Sequence, residues 1–281
     1  MTAGAGEPSA TAFVPGHITG FFSVQSAAKP AQSGSRGAGV TLTDGVEVTV
    51  TPGSGLRLNG ESTSVTAVDS VRSRLGVDAA VDATTPLPLG AGFGVSGALA
   101  LGTALAANAV FGCGKSENEL ITMAHCAEVE AGTGLGDVVA QARGGLPIRI
   151  DAGSPSHGRL DGVAARPHVE YVTFGERSTA DVLAEDTEAL SRAGESALSR
   201  LLEWPTLDRF MTAAREFATD ADLLTDDVAD AIDAVDEAGG DAAMAMLGNT
   251  VFAVGDGLSA AGYDPERCRV DAGGARLRPE E

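Results

Sequence analysis

Gly90, Gly92 and Gly94 alternate within Pro86-Leu87-Pro88-Leu89-Gly90-Ala91-Gly92-Phe93-Gly94-Val95-Ser96-Gly97-Ala98, and small apolar residues follow to about residue 111. Glycine at every second position suits neither a packed strand nor a helix interior, so this is a loop opening directly into a helix. Such a junction presents unpaired backbone N–H groups and the positive end of the helix dipole, a setting that favours a bound phosphate. The expectation is that a nucleotide's phosphates sit on Pro88 and on Gly90, Ala91, Gly92, Phe93, Gly94, Val95, Ser96, Gly97 and Ala98. A Gly/Ala packing loop with no ligand is the plain alternative.

Two familiar phosphate loops fit poorly. Gly92-Phe93-Gly94-Val95-Ser96-Gly97 matches G-x-G-x-x-G, with Glu117 about 20 residues on. That fingerprint needs a strand running into its first glycine, and Pro86 and Pro88 cannot donate to a ladder there. Glu117 follows Ser116 at a helix start rather than a strand end. A Walker loop requires Gly-Lys-Ser/Thr, and no lysine is present in the loop.

The rest of the chain mixes helical and strand patterns. Residues 1–11 read as a disordered tail. Phe13-Val14 reads as a short strand, Pro15-Gly16 as a turn, and Ile18 to Val24 as another apolar segment. Val40 and Leu42 lead into Asp44-Gly45, and Val46, Val48 and Val50 alternate afterwards, which predicts a hairpin turning at 44–45. Asn59-Gly60 marks a further turn, and Val65, Val68, Val71 and Leu75 have helical spacing. Ser116-Glu117-Asn118-Glu119 is a capping box starting a helix to about Ala131, which Gly132 to Gly136 ends. Asp137 to Ala142 reads as a helical turn and Leu146 to Ile150 as a strand. A shift in composition around 152–160 places a domain boundary at 155/156. Beyond it come a strand at Val169 to Phe174 and helical patterns at 179–203, 206–218 and 226–238. A short helix at Ala242 to Leu247, a strand at Thr250 to Val254 and a frayed tail complete the reading.

Charge narrows the function classes. The net charge is −20, and residues 151–281 hold 27 of the 39 acidic side chains against 11 of the 19 basic ones. Lys29 and Lys115 are the only lysines. An acidic coat with scarce lysine reads as adaptation to high salt, and such a field repels nucleic acid. Cys113, Cys126 and Cys268 are too few and scattered for a disulfide framework or a zinc site. Cys113 and Cys126 read as core thiols. No apolar run spans a membrane and the N-terminus lacks a signal pattern, so a cytoplasmic protein is expected.

Asp137 is the sharpest candidate for chemistry, flanked by glycines in Gly132-Thr133-Gly134-Leu135-Gly136-Asp137. Phosphoryl transfer to an alcohol wants a carboxylate oriented on the hydroxyl proton, although an aspartate at a helix start is also a common N-cap. Glu128 and Glu130 lie on the preceding helix, where one of them can face a metal–nucleotide. Mg²⁺ takes one or two protein oxygens plus phosphate oxygens. Glu128 is the choice, and Glu130 reads as a solvated face charge.

Four segments in order resemble the motifs of the GHMP small-molecule kinases: Val14-Pro15-Gly16-His17-Ile18-Thr19-Gly20, Gly34-Ser35-Arg36-Gly37-Ala38-Gly39, Gly90 to Ala98, and Gly132 to Asp137 continuing to Gly144-Gly145. A weaker echo of the third glycine motif lies at Met246-Leu247-Gly248-Asn249-Thr250. Val95 stands where the second motif has its first serine, Ser96 keeps the second, and His17 replaces the usual basic residue of the first motif. The likeness is greatest to one archaeal branch, whose substrate is a small carboxylate with a primary alcohol. The resemblance implies an α+β GHMP kinase fold, with a ribosomal S5 domain 2-like N-terminal domain over 12–155 and a ferredoxin-like C-terminal domain over 156–281. It implies ATP and Mg²⁺ as cofactors, Asp137 as catalytic base, and Ser96 with Glu128 on the metal. His17 and Thr19 would orient the substrate, and an arginine would hold its carboxylate: Arg149 first, then Arg36 and Arg143. A small-molecule partner is implied, with neither nucleic acid nor membrane; a homodimer is compatible with the sequence but not read from it. Mevalonate or homoserine kinase activity, or a catalytically silent binding module, are the other readings.

Overall fold

Two long strands, β1 (Ala10–Gln25) and β2 (Gly34–Pro52), form the spine of the first layer. The computed structural model describes residues 7–175 and 187–279. Beyond the spine come β3 (Leu56–Leu58), β4 (Glu61–Thr63) and β5 (Ala79–Thr84), then β6 (Leu146–Asp151), β7 (Arg159–Val163) and β12 (Arg276–Leu277). Their order is β12-β1-β2-β5-β3-β4, with β6 pairing β2 near Gly37–Ala38 and β7 pairing β6. Helices α1 (Thr66–Leu75) and α3 (Glu117–Ala131) pack on each other and on α2 (Val95–Phe111), which lies against this sheet, with α4 (Asp137–Arg143) wedged between α2 and β1.

A second sheet, β11-β8-β10-β9, comes from β8 (His168–Thr173), β9 (Asp241–Met244), β10 (Thr250–Val254) and β11 (Glu266–Arg269). Of the amphipathic helices, α5 (Thr187–Glu203) packs on β1 and β2, α6 (Leu207–Asp220) on β1 and β9, and α7 (Asp226–Glu237) on β9 and β10, while α8 (Gly257–Ala260) is a single turn. Phe210 and Phe217 of α6 meet Phe21 of β1, with ring centroids 6.3 and 6.5 Å apart, and so join the two layers through one aromatic cluster. This mixed α+β architecture is the one the resemblance implied.

Several local expectations needed correction. Pro15-Gly16 and Asp44-Gly45 are not turns; they face each other across β1 and β2. The register steps from Pro15 opposite Gly45 to Gly16 opposite Leu42, leaving Thr43 and Asp44 as the extra residues of a bulge. A bulge tolerates proline's missing N–H and bends both strands without ending them. The real hairpin connection lies at 26–33, with a 3-10 turn at Pro30–Gln32. Ala242 to Met244 is strand rather than helix: all three residues are buried, and tertiary pairing with β10 overrides helix propensity. The tail ends earlier than expected, because Ala10 and Thr11 already pair with Val50 and Thr49. The C-terminal end is not frayed through Arg278: Leu277 and Arg276 pair with Ala12 and Phe13, and the guanidinium groups of Arg276 and Arg278 lie 4.6 and 4.8 Å from the Phe13 ring centroid. Thus β7 and β12, both beyond residue 155, belong to the first sheet. Cys113 is half-buried rather than core, whereas Cys126 is buried. Positions 1–6, 179–186 and 280–281, parts of the expected tails and of the 179–203 helix, lie outside the described residues.

Other signals hold. Asn59 (φ 51°) and Gly60 (φ 83°) turn the β3–β4 hairpin in the left-handed region. Ser116 caps α3 by accepting from the Glu119 amide, while the Glu119 carboxylate accepts from the Ser116 amide. Ser116→Ala should cost about 1 kcal/mol of unfolding free energy, as is typical of a lost N-cap, read as a lower denaturant midpoint at unchanged slope.

Candidate active site

The glycine loop leaves β5 at Thr84 and enters α2 at Val95, with Gly90, Gly92 and Gly94 at φ 69°, 91° and 64°. No strand feeds it directly, which removes the dinucleotide-fingerprint geometry. No side chain caps α2, so its first-turn amides stay available to a ligand. Neighbours on every side fix the loop's shape. The Gln141 side-chain amide donates to Gly94 O at 2.9 Å, and the His17 amide donates to Phe93 O at 3.0 Å. From the second layer, the Thr250 hydroxyl donates to Ala91 O at 3.0 Å, and Phe93 packs on Tyr171 with centroids 4.8 Å apart. Gly248 lies so close to Ala91 that a Cβ there would overlap its carbonyl.

A cavity of about 370 Å³ opens beside this loop. Gly90, Gly92, Phe93, Gly94, Val95 and Ser96 line one wall, whereas Pro88, Ala91, Gly97 and Ala98 stand behind it or outside. The Ser96 hydroxyl donates to Glu128 Oε1 at 2.6 Å. Glu128 is buried, and burial pushes its carboxyl up to about 7; the Ser96 hydroxyl opposes the rise, the Asp137 charge adds to it, and the Thr133 hydroxyl opposes it. Glu130 is exposed and pairs with Arg74.

Asp137 sits at the first turn of α4 with 26 % of its side chain open to the cleft. Its Oδ1 accepts from His17 Nδ1 at 2.7 Å. Burial alone would raise this carboxyl, but the His17 hydrogen bond and the charges of His17 and Arg149 outweigh it and hold Asp137 below the usual carboxylate range. Burial, the largest effect on His17, lowers its pKa, while the hydrogen bond and charge of Asp137 act the other way. His17 was expected to touch the substrate; instead it is fully buried behind Asp137.

Arg149 projects from β6 and is 1 % exposed, yet its Nε and Nη1 have no hydrogen-bond partner among the described residues. Burial lowers its pKa to about 10, with Asp137 acting the other way. Gly136 makes room for it: a Cβ there would meet Ser35 Oγ at 2.5 Å and Arg149 Nε at 2.6 Å. Thr19 also lines the cavity. The other two arginines lie elsewhere. Arg36 bonds Ile150 O and Glu195, and Arg143 bonds Gly144 O beside a second hollow on the far side of α4. Ser35, Leu89, Thr133, Leu135, Met246 and Leu247 were missed as lining residues. All six lie inside the glycine-rich segments quoted above, which is the signal the sequence carried for them.

Residues 62–145 match the family model for the N-terminal domain of GHMP kinases. A pantoate kinase of Methanocaldococcus jannaschii is 33% identical over 250 residues, covering 86% of this chain and 91% of its own length. This chain belongs to the pantoate kinase family. A second family member, from Thermococcus kodakarensis, is 34% identical over 261 residues, covering 86% of each chain. A solved structure described as a phosphotransferase related to the CoA biosynthesis pathway superposes with a TM-score of 0.87 at 29% identity, covering 96% of this chain and 98% of its own. Homoserine kinase from Cytophaga hutchinsonii, at 17% identity and a TM-score of 0.68, shares the fold; it covers 99% of this chain and 100% of its own.

Proposed function

We propose that this protein transfers the γ-phosphoryl group of ATP to the primary hydroxyl of (R)-pantoate, giving 4-phosphopantoate on the archaeal route to coenzyme A. The names of its curated relatives support that reaction. The observation that carries it at the residue level is one cleft holding a glycine-lined helix start, an oriented carboxylate and a buried arginine with two nitrogens unbonded among the described residues.

The roles follow from chemistry. Amides of the loop and of the first turn of α2 receive the phosphates. Asp137, ionised and held by His17, orients the substrate hydroxyl and accepts its proton as charge develops on the transferring oxygen. A carboxylate this acidic takes no proton from a ground-state alcohol, so its work is alignment followed by late acceptance. Arg149 offers free N–H donors to the substrate carboxylate, and Thr19 completes that wall. Ser96 and Glu128 supply two hard oxygens 2.6 Å apart on the phosphate side, a donor set that fits Mg²⁺. Among the described residues no group of three or more His, Cys, Asp or Glu could hold a metal unaided, so the remaining ligands would be nucleotide oxygens and water. The ion would neutralise phosphate charge.

The acidic, lysine-poor composition supports a cytoplasmic home in a salt-adapted cell and argues against nucleic-acid partners. Among the described residues no helix is long and apolar enough to cross a membrane. A coupled assay in multimolar KCl, with pantoate, pantothenate, mevalonate and homoserine side by side, tests the reading: ATP consumption should require pantoate. Turnover of mevalonate or homoserine instead, or of none, would replace it with the other kinase or the silent-module reading.

Thr250 extends the mechanism across the layers, since its hydroxyl is bonded to the phosphate loop. Thr250→Val should raise KM for ATP about 3–10-fold, the worth of one hydrogen bond, and leave KM for pantoate unchanged. Thr250→Ser should restore it. Equal rises in both constants would count against a role specific to the loop.

A further inference from the structure

We propose that Phe22, Met246 and Leu247 form the wall that reads the quaternary carbon of the substrate and set the preference for a geminal dimethyl group over hydrogen. The inference rests on the reading of the cleft given above and adds the determinant of specificity. Pantoate is a short chain with a carboxylate at one end, a primary alcohol at the other, and a carbon bearing two methyl groups between them. Arg149 and Asp137 satisfy the two polar ends, so whatever lines the cavity between them faces the methyl groups.

The cavity that holds both polar ends also has an apolar stretch of wall, assembled from both halves of the chain. Phe22 comes from β1, is 6 % exposed, and is backed by Phe217 of α6 with centroids 5.7 Å apart. Met246 and Leu247 come from the β9–β10 connection and are 5 % and 7 % exposed. The Met246 amide donates to Thr19 O at 2.8 Å, which pins this connection to β1 three residues before Phe22. A surface this buried loses little water when a methyl group docks, and gains dispersion contacts in return. A substrate with hydrogens in place of methyl groups leaves a void against it. One missing methylene in an apolar pocket typically lowers kcat/KM about 10–200-fold.

The test compares kcat/KM for (R)-pantoate and (R)-2,4-dihydroxybutanoate at saturating ATP. The unaltered protein should prefer pantoate by at least about tenfold. Met246→Ala should shrink that ratio at least about threefold, chiefly by losing pantoate turnover, while KM for ATP stays within about twofold. Leu247→Val, a smaller change that spares the fold, should shift the ratio in the same direction by a lesser factor. An unaltered protein that turns over both substrates equally overturns the inference, as does a ratio that stays constant in both variants. Failure of the unaltered protein to phosphorylate pantoate at all overturns the reading of the cleft and this inference with it. Pantoate turnover without a shift in ratio overturns the inference alone.

Discussion

Asp137→Asn is expected to lower kcat about 10²–10⁴-fold, the usual loss when a positioned acid–base group is removed, with nucleotide affinity changed by less than about threefold. The substitution keeps the shape of the side chain and an oxygen that can still accept from His17 Nδ1, now at 2.7 Å from the carboxylate, so the fold should survive. On the proposed mechanism it removes the charge that orients the substrate hydroxyl and the lone pair that takes its proton. Because the effect belongs to the transition state, kcat and kcat/KM should fall together while KM for pantoate moves little. Steady-state kinetics beside an ATP-analogue binding isotherm reads both quantities. Wild-type turnover in this variant would remove Asp137 from the chemistry, and loss of nucleotide binding would make it a structural cap.

Arg149→Met should cut kcat/KM for pantoate about 100-fold or more and leave the thermal midpoint unchanged or raised. The two effects have one cause. Arg149 is a cation 1 % exposed, with two nitrogens lacking a partner, so the ligand-free protein carries a desolvated charge that an apolar side chain of similar length would relieve. The nearby Asp137 charge offsets part of that cost, and Asp137 keeps His17 when Arg149 is gone. In the complex, losing the guanidinium leaves a substrate carboxylate buried without a donor, a penalty of about 2–5 kcal/mol. Melting curves with and without pantoate provide the check: the substrate should stabilise the unaltered protein by mass action and fail to stabilise the variant. A large drop in midpoint without ligand would mean that Arg149 holds the sheet together rather than the substrate.

Much of this was legible in the chain because it is local. A glycine loop feeding a small-residue helix is a statement about thirteen consecutive positions, and Gly90, Gly92 and Gly94 all take the left-handed conformation that their identity permits. The capping box at Ser116, the Asn59-Gly60 turn and the glycines around Asp137 are equally short-range. On α3, Glu128 is buried and Glu130 exposed, a difference for which the sequence offered only the general rule that most helix glutamates are solvated. Errors came where identical local chemistry has two outcomes. Pro15-Gly16 and Asp44-Gly45 carry the composition of turns, yet opposite each other they make a bulge, and neither segment alone can report its partner. Ala242 to Met244 has helix-forming residues but no amphipathic period, and β10 beside it decides the matter.

The residues in order thus specify a glycine-lined, uncapped helix start and an aspartate at the head of α4, since backbone conformation and helix dipoles act within a few positions. The long-range assembly of the cleft was left to the tertiary fold. It turned His17 inward onto Asp137, took Arg36 and Arg143 away from the cleft while leaving Arg149 unpaired within it, and brought Thr250 and Met246 across from the second sheet. The physical reason is burial: whether a polar group keeps its hydrogen-bonding capacity for a ligand depends on which distant strand covers it, and no spacing along the chain records that.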